Sequence, residues 1–231
     1  MPDAAAEEES GAARYVPRRG GIPSLRRAAA GCQGCPLYQE ATATVFGEGP
    51  SSARIVLVGE QPGDQENRQG EPFVGPAGRL LRRALAEAGI DETSTYLTNA
   101  VKHFKFTMES GGKRRIHKAP NLREMTACRP WLMAELKVID PDVVVALGAT
   151  AGKALLGKSF RVGAQRGLAL PGPAWDALGV TPVQNDNGHR LVATLHPSAV
   201  LRAHDREAAY AGLVSDLRVA AAALRRSARQ G

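Results

Sequence analysis

Four short apolar runs stand out along the chain: Arg54–Val58 (RIVLV), Thr95–Thr98 (TYLT), Asp142–Leu147 (DVVVAL) and Arg190–Leu195 (RLVATL). Three of them carry consecutive β-branched or aliphatic residues, without the polar alternation of a half-exposed strand, and so predict strands buried on both faces. Helical patterns lie between them. Pro76 to Ala88 sets Leu80, Leu81, Ala84 and Leu85 on one stripe, Pro130 to Leu136 opens with a proline as a first helical turn allows, and Ala149 to Leu156 follows Gly148. The last segment, Asp205 to Arg225, places Tyr210, Leu213, Val214, Leu217, Ala221 and Leu224 on one helical face. Strands that alternate with helices pair in parallel through right-handed crossovers. The pattern therefore predicts an α/β fold: one domain with a central four-stranded parallel sheet flanked by helices, an α/β/α sandwich.

The chain's first 20 residues change this picture little. They read as a disordered tail, acidic at MPDAAAEEES, and the domain is expected over residues 21–231, with Ser24 capping a short helix through Ala30. Neither a secretory signal nor an apolar run of about 18 residues is present, which predicts a cytoplasmic protein with no membrane partner. Hydrophobic residues make up 43% and charged residues 23%, which excludes a disordered chain. Lys and Arg number 30 against 23 Asp and Glu, and the net charge of +7 fits a polyanionic partner without identifying it.

Ligands of open parallel sheets bind outside the carboxyl ends of the strands, so the residues that follow each run carry the chemistry. After the first come Gly59-Glu60-Gln61-Pro62-Gly63-Asp64-Gln65-Glu66 and then Glu71-Pro72-Phe73-Val74-Gly75-Pro76-Ala77-Gly78; after the second, Asn99-Ala100-Val101-Lys102-His103; after the fourth, His196-Pro197-Ser198. The glycines do not form a GxxxxGK[ST] or GxGxxG phosphate loop. They suit a backbone that turns and approaches a ligand closely, beside carboxylates, Glu60 and Asp64, able to orient a water or a catalytic group.

Three cysteines, an odd number, exclude a disulfide framework and leave a metal or cluster site open. Cys32 and Cys35 form a CxxC, Cys128 lies far downstream, and His103 between them is a candidate fourth ligand. The long gaps do not suit a compact zinc finger, yet spacing alone leaves zinc and an iron–sulfur cluster both open. A basic loop, Lys113-Arg114-Arg115-Ile116-His117-Lys118, reads as an extended surface segment. Its cations lower the pKa of His117 by like-charge repulsion, leaving a neutral, nucleophilic imidazole.

Together these segments resemble the uracil-DNA glycosylase superfamily, and its cluster-bearing family 4 branch in particular. GExPG (Gly59–Gly63), GxPFVGPAG (Gly70–Gly78), TNxVK (Thr98–Lys102) and HPSxxLR (His196–Arg202) stand in the family's order. The chain departs in two places: His103 stands where family 4 has a cysteine after the TNxVK lysine, and the Lys113–His117 loop is inserted. That loop, with GEQPGDQE, resembles the UdgX subfamily, whose members become covalently trapped on uracil-containing DNA. The resemblance implies a glycosylase that flips uracil out of single- or double-stranded DNA. Phe73 would stack on the base, the Asn99 amide would pair with its O4 and N3–H, and His196 would donate to O2 of the leaving uracil. His117 would attack C1′ of the oxocarbenium-like sugar, Glu60 would orient its imidazole, and Gln61 and Asp64 would shape the same wall against base and sugar. Lys113, Arg114, Arg115, Ser198 and Arg202 would contact DNA. Cys32, Cys35, His103 and Cys128 would ligate a [4Fe-4S] cluster of mainly structural role. The resemblance further implies a bacterial, monomeric protein consumed by one event. Two other readings stay open: a family 4 glycosylase that turns over and leaves an abasic site, and a noncatalytic nucleic-acid-binding module built on zinc.

Overall fold

A computed structural model describes residues 11–112, 114–172 and 189–227. Its sheet forms from the expected runs. β1 (Ile55–Gly59) pairs in parallel with β2 (Thr95–Asn99) and with β5 (Val143–Leu147), and β5 pairs in parallel with β7 (Arg190–Thr194). Alternate residues face opposite layers. Val56, Val58, Tyr96, Val144 and Ala146 join Trp131, Leu132 and Leu136 on one side; Ile55, Leu57, Val143, Val145 and Leu147 join Leu81, Leu85, Leu213 and Leu217 on the other. Burial on both faces is why these strands show no polar alternation.

A fifth strand corrects the expected four-stranded sheet. β6 (Ala169–Pro171) pairs antiparallel with β7 and completes the order β2-β1-β5-β7-β6. Three residues ending in proline give no periodic signal, and a residue without an N–H fits an outer edge. The basic loop is likewise a hairpin, not an extended segment: β3 (Phe106–Met108) pairs with β4 (Arg115–His117), with Phe106 opposite His117. Gly111 and Gly112, at φ 97° and 72°, supply the left-handed residues of its turn.

Helices fill the connections. α1 is Ile22–Ala29, α2 Asp64–Gln69, α3 Pro76–Ala88, α4 Leu122–Ile139, α5 Gly148–Leu156, α6 Val162–Gln165, α7 Pro197–Arg202 and α8 Arg206–Ser227. The N-cap of α1 is Gly21 and Ser24 lies inside the helix, so Ser24 is not its cap. The helix expected from Pro130 starts eight residues earlier. Asn121 and Glu124 form a capping box, Asn121 Oδ1 accepting the Glu124 N–H at 3.0 Å and Glu124 Oε2 accepting the Asn121 N–H at 2.6 Å, and Pro130 lies inside the helix. Residues 11–20, expected within the tail, carry a 3-10 turn over Ala13–Tyr15, and buried Ala12 donates its N–H to Ala127 of α4 at 2.8 Å. Among the described residues no helix is long and apolar enough to cross a membrane.

One buried ion pair joins the two halves of this frame. Lys102, just past β2, and Glu135 of α4 are both fully buried, with Nζ and Oε2 2.5 Å apart. Lys102 also donates to Thr98 Oγ1 at 2.6 Å and to the Asn99 carbonyl at 2.8 Å. Glu135 Oε1 accepts from the Tyr96 hydroxyl at 2.9 Å and the Gly47 N–H at 3.1 Å. Removing one charge of such a pair strands the other. Glu135→Ala is expected to cost about 3–5 kcal/mol, read from the urea midpoint. The double variant Lys102→Met/Glu135→Leu should cost clearly less, and equal losses would contradict this account.

Candidate active site

Parallel pairing brings the ends of β1, β2 and β7 to one edge of the sheet. Gly59 stands opposite Asn99 in register, and His196 follows β7 by two residues. The Phe73 ring stacks on the His196 ring with centroids 6.4 Å apart and planes at 28°. A Cβ at Gly59 would lie 2.3 Å from Asn99 Oδ1 and 2.7 Å from Phe73 Cζ. Glycine is therefore required where an amide and an aromatic ring converge. Phe73 and Asn99, both buried, form with His196 a flat slot with one ring face, one amide edge and one imidazole.

His196 is the N-cap of α7. Its Nδ1 accepts the Ser198 N–H at 3.1 Å and lies 2.8 Å from Ser198 Oγ. A backbone N–H can only donate, so the ring proton of the neutral form is on Nε2, which is left as a donor. Burial, reinforced by the charges of His117 and Arg202, lowers the His196 pKa to about 4.

His117 ends β4 at the mouth of this slot. Its Nε2 is 3.4 Å from Glu60 Oε1, and its ring is 6.0 Å from that of Phe104. The other Glu60 oxygen accepts the hydroxyl of Thr150, in the first turn of α5. The His117 pKa is lowered, first by burial; Glu60 opposes this and Arg202 adds to it. Desolvation, and not the neighbouring loop cations, is thus the main cause. Thr150 and Phe104 did not emerge from the sequence. Thr150 lies two residues past Gly148 at the third strand end, and a lone threonine inside a helical pattern carries no signal of its own.

Gln61 and Asp64 hold the hairpin. Gln61, expected against the base, donates from Nε2 to the carbonyls of Lys105 and Lys118, both at 3.1 Å, and its Oε1 accepts the Lys105 N–H at 3.3 Å. These residues flank β3 and β4, so one amide clamps both strands. Asp64 Oδ1 lies 3.3 Å from Arg115 Nη1, and the Arg115 guanidinium covers the Phe106 ring at 4.7 Å. Arg115 is thereby tied into the hairpin base. Arg114 and Arg202 are exposed, and Ser198 serves His196; Lys113 lies outside the described residues.

The four candidate ligands are all buried. Cys32 Sγ accepts the Trp131 indole N–H at 3.2 Å and the Gly34 N–H at 3.5 Å, and Cys128 Sγ accepts the Lys102 N–H at 3.2 Å. His103 Nε2 lies 2.9 Å from Thr44 Oγ1. Burial pushes the Cys128 thiol up to about 12 and raises that of Cys35, while it lowers His103 to about 4. N–H groups aimed at sulfur favour thiolate, and a neutral imidazole is a ligand, so the donor set fits a thiolate-bound cluster. Among the described residues no three of His, Cys, Asp and Glu gather closely enough to hold a single metal ion.

Residues 46–218 match the family described as the uracil DNA glycosylase superfamily. The chain is similar to a type-4 uracil-DNA glycosylase of Thermotoga maritima, 37% identical over 177 residues that span 76% of this chain and 81% of that protein. A type-4 uracil-DNA glycosylase of Pyrobaculum aerophilum is 33% identical over 175 residues, spanning 74% and 80%. A type-5 uracil-DNA glycosylase of the same organism is 30% identical over 165 residues, spanning 65% and 63%.

The His196 geometry has a measurable consequence. Nitrogen-detected NMR should find its ring neutral, with the proton on Nε2, at pH 7, and protonating only near about 4. An unfolded imidazole titrates near about 6.5, so the unfolded chain takes up this proton first. The contribution of His196 to stability is complete above pH about 6.5 and is lost as the pH falls toward 4. A midpoint above 6, or an Nδ1–H tautomer, would contradict the assignment.

Proposed function

The chain belongs to the uracil DNA glycosylase superfamily, and from that premise we propose that it excises uracil from DNA and is captured on the sugar through His117, as in the UdgX subfamily. The observation that carries the reading is His117 Nε2 facing Glu60 Oε1 at 3.4 Å beside the Phe73–Asn99–His196 slot. The flipped uracil stacks on Phe73, and the Asn99 amide reads O4 and N3–H. The C1′–N1 bond breaks heterolytically, and its electron pair leaves with the base, whose O2 receives the His196 Nε2–H. The neutral His117 ring gives a lone pair to C1′. The imidazolium so formed loses its remaining ring proton to Glu60, which leaves a neutral N-linked adduct. Imidazole is a poor leaving group from that position, and the adduct persists. Arg202 and Arg114 supply phosphate contacts.

We further assign Cys32, Cys35, His103 and Cys128 as ligands of a [4Fe-4S] cluster. A cubane takes its ligands at four separated corners, whereas zinc draws them around one point. Held by these four residues, the cluster would supply a structural tie among three distant segments. Protein purified without chelators should absorb near about 400 nm and carry about four irons. A colourless protein with stoichiometric zinc would overturn the ligand assignment.

Capture is tested with a labelled single-stranded oligonucleotide carrying one uracil, beside a thymine control. A uracil-dependent shifted band should survive boiling in detergent. His117→Ala should abolish the band and restore water as the nucleophile, leaving an alkali-labile abasic site; Glu60→Gln should slow capture about 100-fold. Because the His117 pKa is lowered, capture should hold through neutral pH and decline only below about 6.5. Cleavage after alkali without a shifted band from the wild type would establish turnover instead. Neither signal would return the protein to the binding-module reading.

A further inference from the structure

Phe73 sits in an unusual backbone state. Its φ is 57°, and with Asp140 it is one of two non-glycine residues at positive φ among the described residues. A residue with a Cβ enters that region at a cost in free energy and stays only where its surroundings hold it. Three features do so. Arg82, one and a half turns into α3, donates from Nη1 to the Phe73 carbonyl at 2.7 Å. Gly78, in the first turns of the same helix, leaves room for that carbonyl: a Cβ there would lie 1.6 Å from Phe73 O. Two residues on from Phe73, the Gly75 N–H is fixed by Glu66 Oε1 at 2.8 Å. The loop is thus pinned on both sides of the strained peptide.

The pins determine where the ring goes. With the carbonyl turned toward α3, the Phe73 side chain points to the sheet, its Cζ reaching the space above Gly59 and its face lying on His196. Rotation of the backbone to negative φ would swing the ring away from Asn99. Arg82 is itself oriented by Glu92, which accepts its Nε–H. The guanidinium thus has one face on an anion and one donor committed to a backbone carbonyl, a charge-assisted hydrogen bond of the stronger kind.

We propose that Arg82 is a positioning residue for base recognition: by holding the Phe73 carbonyl it keeps the Phe73 backbone left-handed and the ring at stacking height over Gly59. The inference rests on the uracil reading above and deepens it. Arg82 acts through Phe73, and its loss weakens capture of the flipped base more than bond cleavage.

Single-turnover kinetics on the uracil oligonucleotide separate the two. Arg82→Met, which keeps the apolar stem, should raise the half-saturating protein concentration about tenfold while the rate at saturation changes less than about threefold, as expected when ground and transition states lose the same contact. Arg82→Lys, with one donor left, should recover most of the affinity. In a Phe73→Ala background Arg82→Met should have little further effect, since the ring it positions is gone. Unchanged affinity in Arg82→Met overturns the proposal. So does a loss that persists in full without the Phe73 ring, a loss confined to the rate at saturation, or a lysine variant no better than methionine. Should Arg82→Met fail to fold, Glu92→Ala, which removes the acceptor that anchors the guanidinium, must give a smaller rise in the same constant; no rise overturns the proposal. A wild type that neither captures nor excises uracil overturns this inference and the functional reading together, whereas an active wild type with an indifferent Arg82 overturns this inference alone.

Discussion

Lys102 is fully buried, and an ammonium without solvent must find its counter-charge inside the protein. Glu135 supplies it from the middle of α4, and the hydroxyls of Tyr96 and Thr98 and the Gly47 N–H complete the carboxylate's partners. The consequences spread from this point. The same Lys102 donates its side chain to the Asn99 carbonyl and its N–H to Cys128 Sγ. One residue therefore fixes the backbone of the amide that faces the slot and touches a ligand of the proposed cluster. A neutral replacement at either end would free α4 from β2, and with it the segments that carry Cys128 and His103. A satisfied buried pair of this kind adds little net stability over an apolar core, but it specifies one arrangement of the elements around it.

The site is built by convergence and then closed by an addition. Three strand ends supply Gly59, Asn99 and His196, and these need only the parallel sheet to meet. His117 comes from outside the sheet, on a two-stranded hairpin too short to be stable by itself. Gln61 clamps its two strands, and Asp64 fixes Arg115. Gln61 lies in the loop after β1 that also carries Glu60, and Asp64 opens α2 directly behind it. The carboxylate that faces His117 and the groups that hold the hairpin thus come from one short stretch of chain, which would keep the proposed nucleophile and its partner in register.

These relations explain which parts of the molecule could be read from its sequence. Val143–Leu147 and Ile55–Val58 announce themselves because both faces are buried and every position must be apolar. β3, β4 and β6 span three residues each, too few to show a period, and the β3–β4 hairpin is held by Gln61 from far along the chain. Pro130 suggests a helix start, yet the Asn121–Glu124 box fixes the start upstream. At the site, Phe73, Asn99, His196, Glu60 and His117 do come together. The task of Gln61 could not be read, because an amide's partners depend on which backbone passes beside it. Thr150 and Arg82 act through a carboxylate and a carbonyl, and nothing in their own neighbourhoods marks them.

The two histidines show why proximity alone is not enough. Burial is the first cause of a lowered pKa in both, and Arg202 adds to it in each case. Their hydrogen bonds then divide the labour. Ser198 occupies Nδ1 of His196 and leaves it a donor toward the slot. His117 faces a carboxylate and has no backbone N–H consuming a lone pair among its described bonds, so it retains one for an electrophile. A protonated His117 would have no lone pair to give, and its added positive charge beside Arg202 would raise the energy of a sugar that becomes cationic as its bond to the base breaks. A fully solvated His117 would stay basic and would share its approach with water. In the proposed mechanism the lowered pKa of His117, beside Glu60, favours the form with a free lone pair. On the proposed reading, capture in place of turnover would follow from which nucleophile stands next to C1′ when the base departs, and the hairpin with the amide that clamps it sets the place of His117.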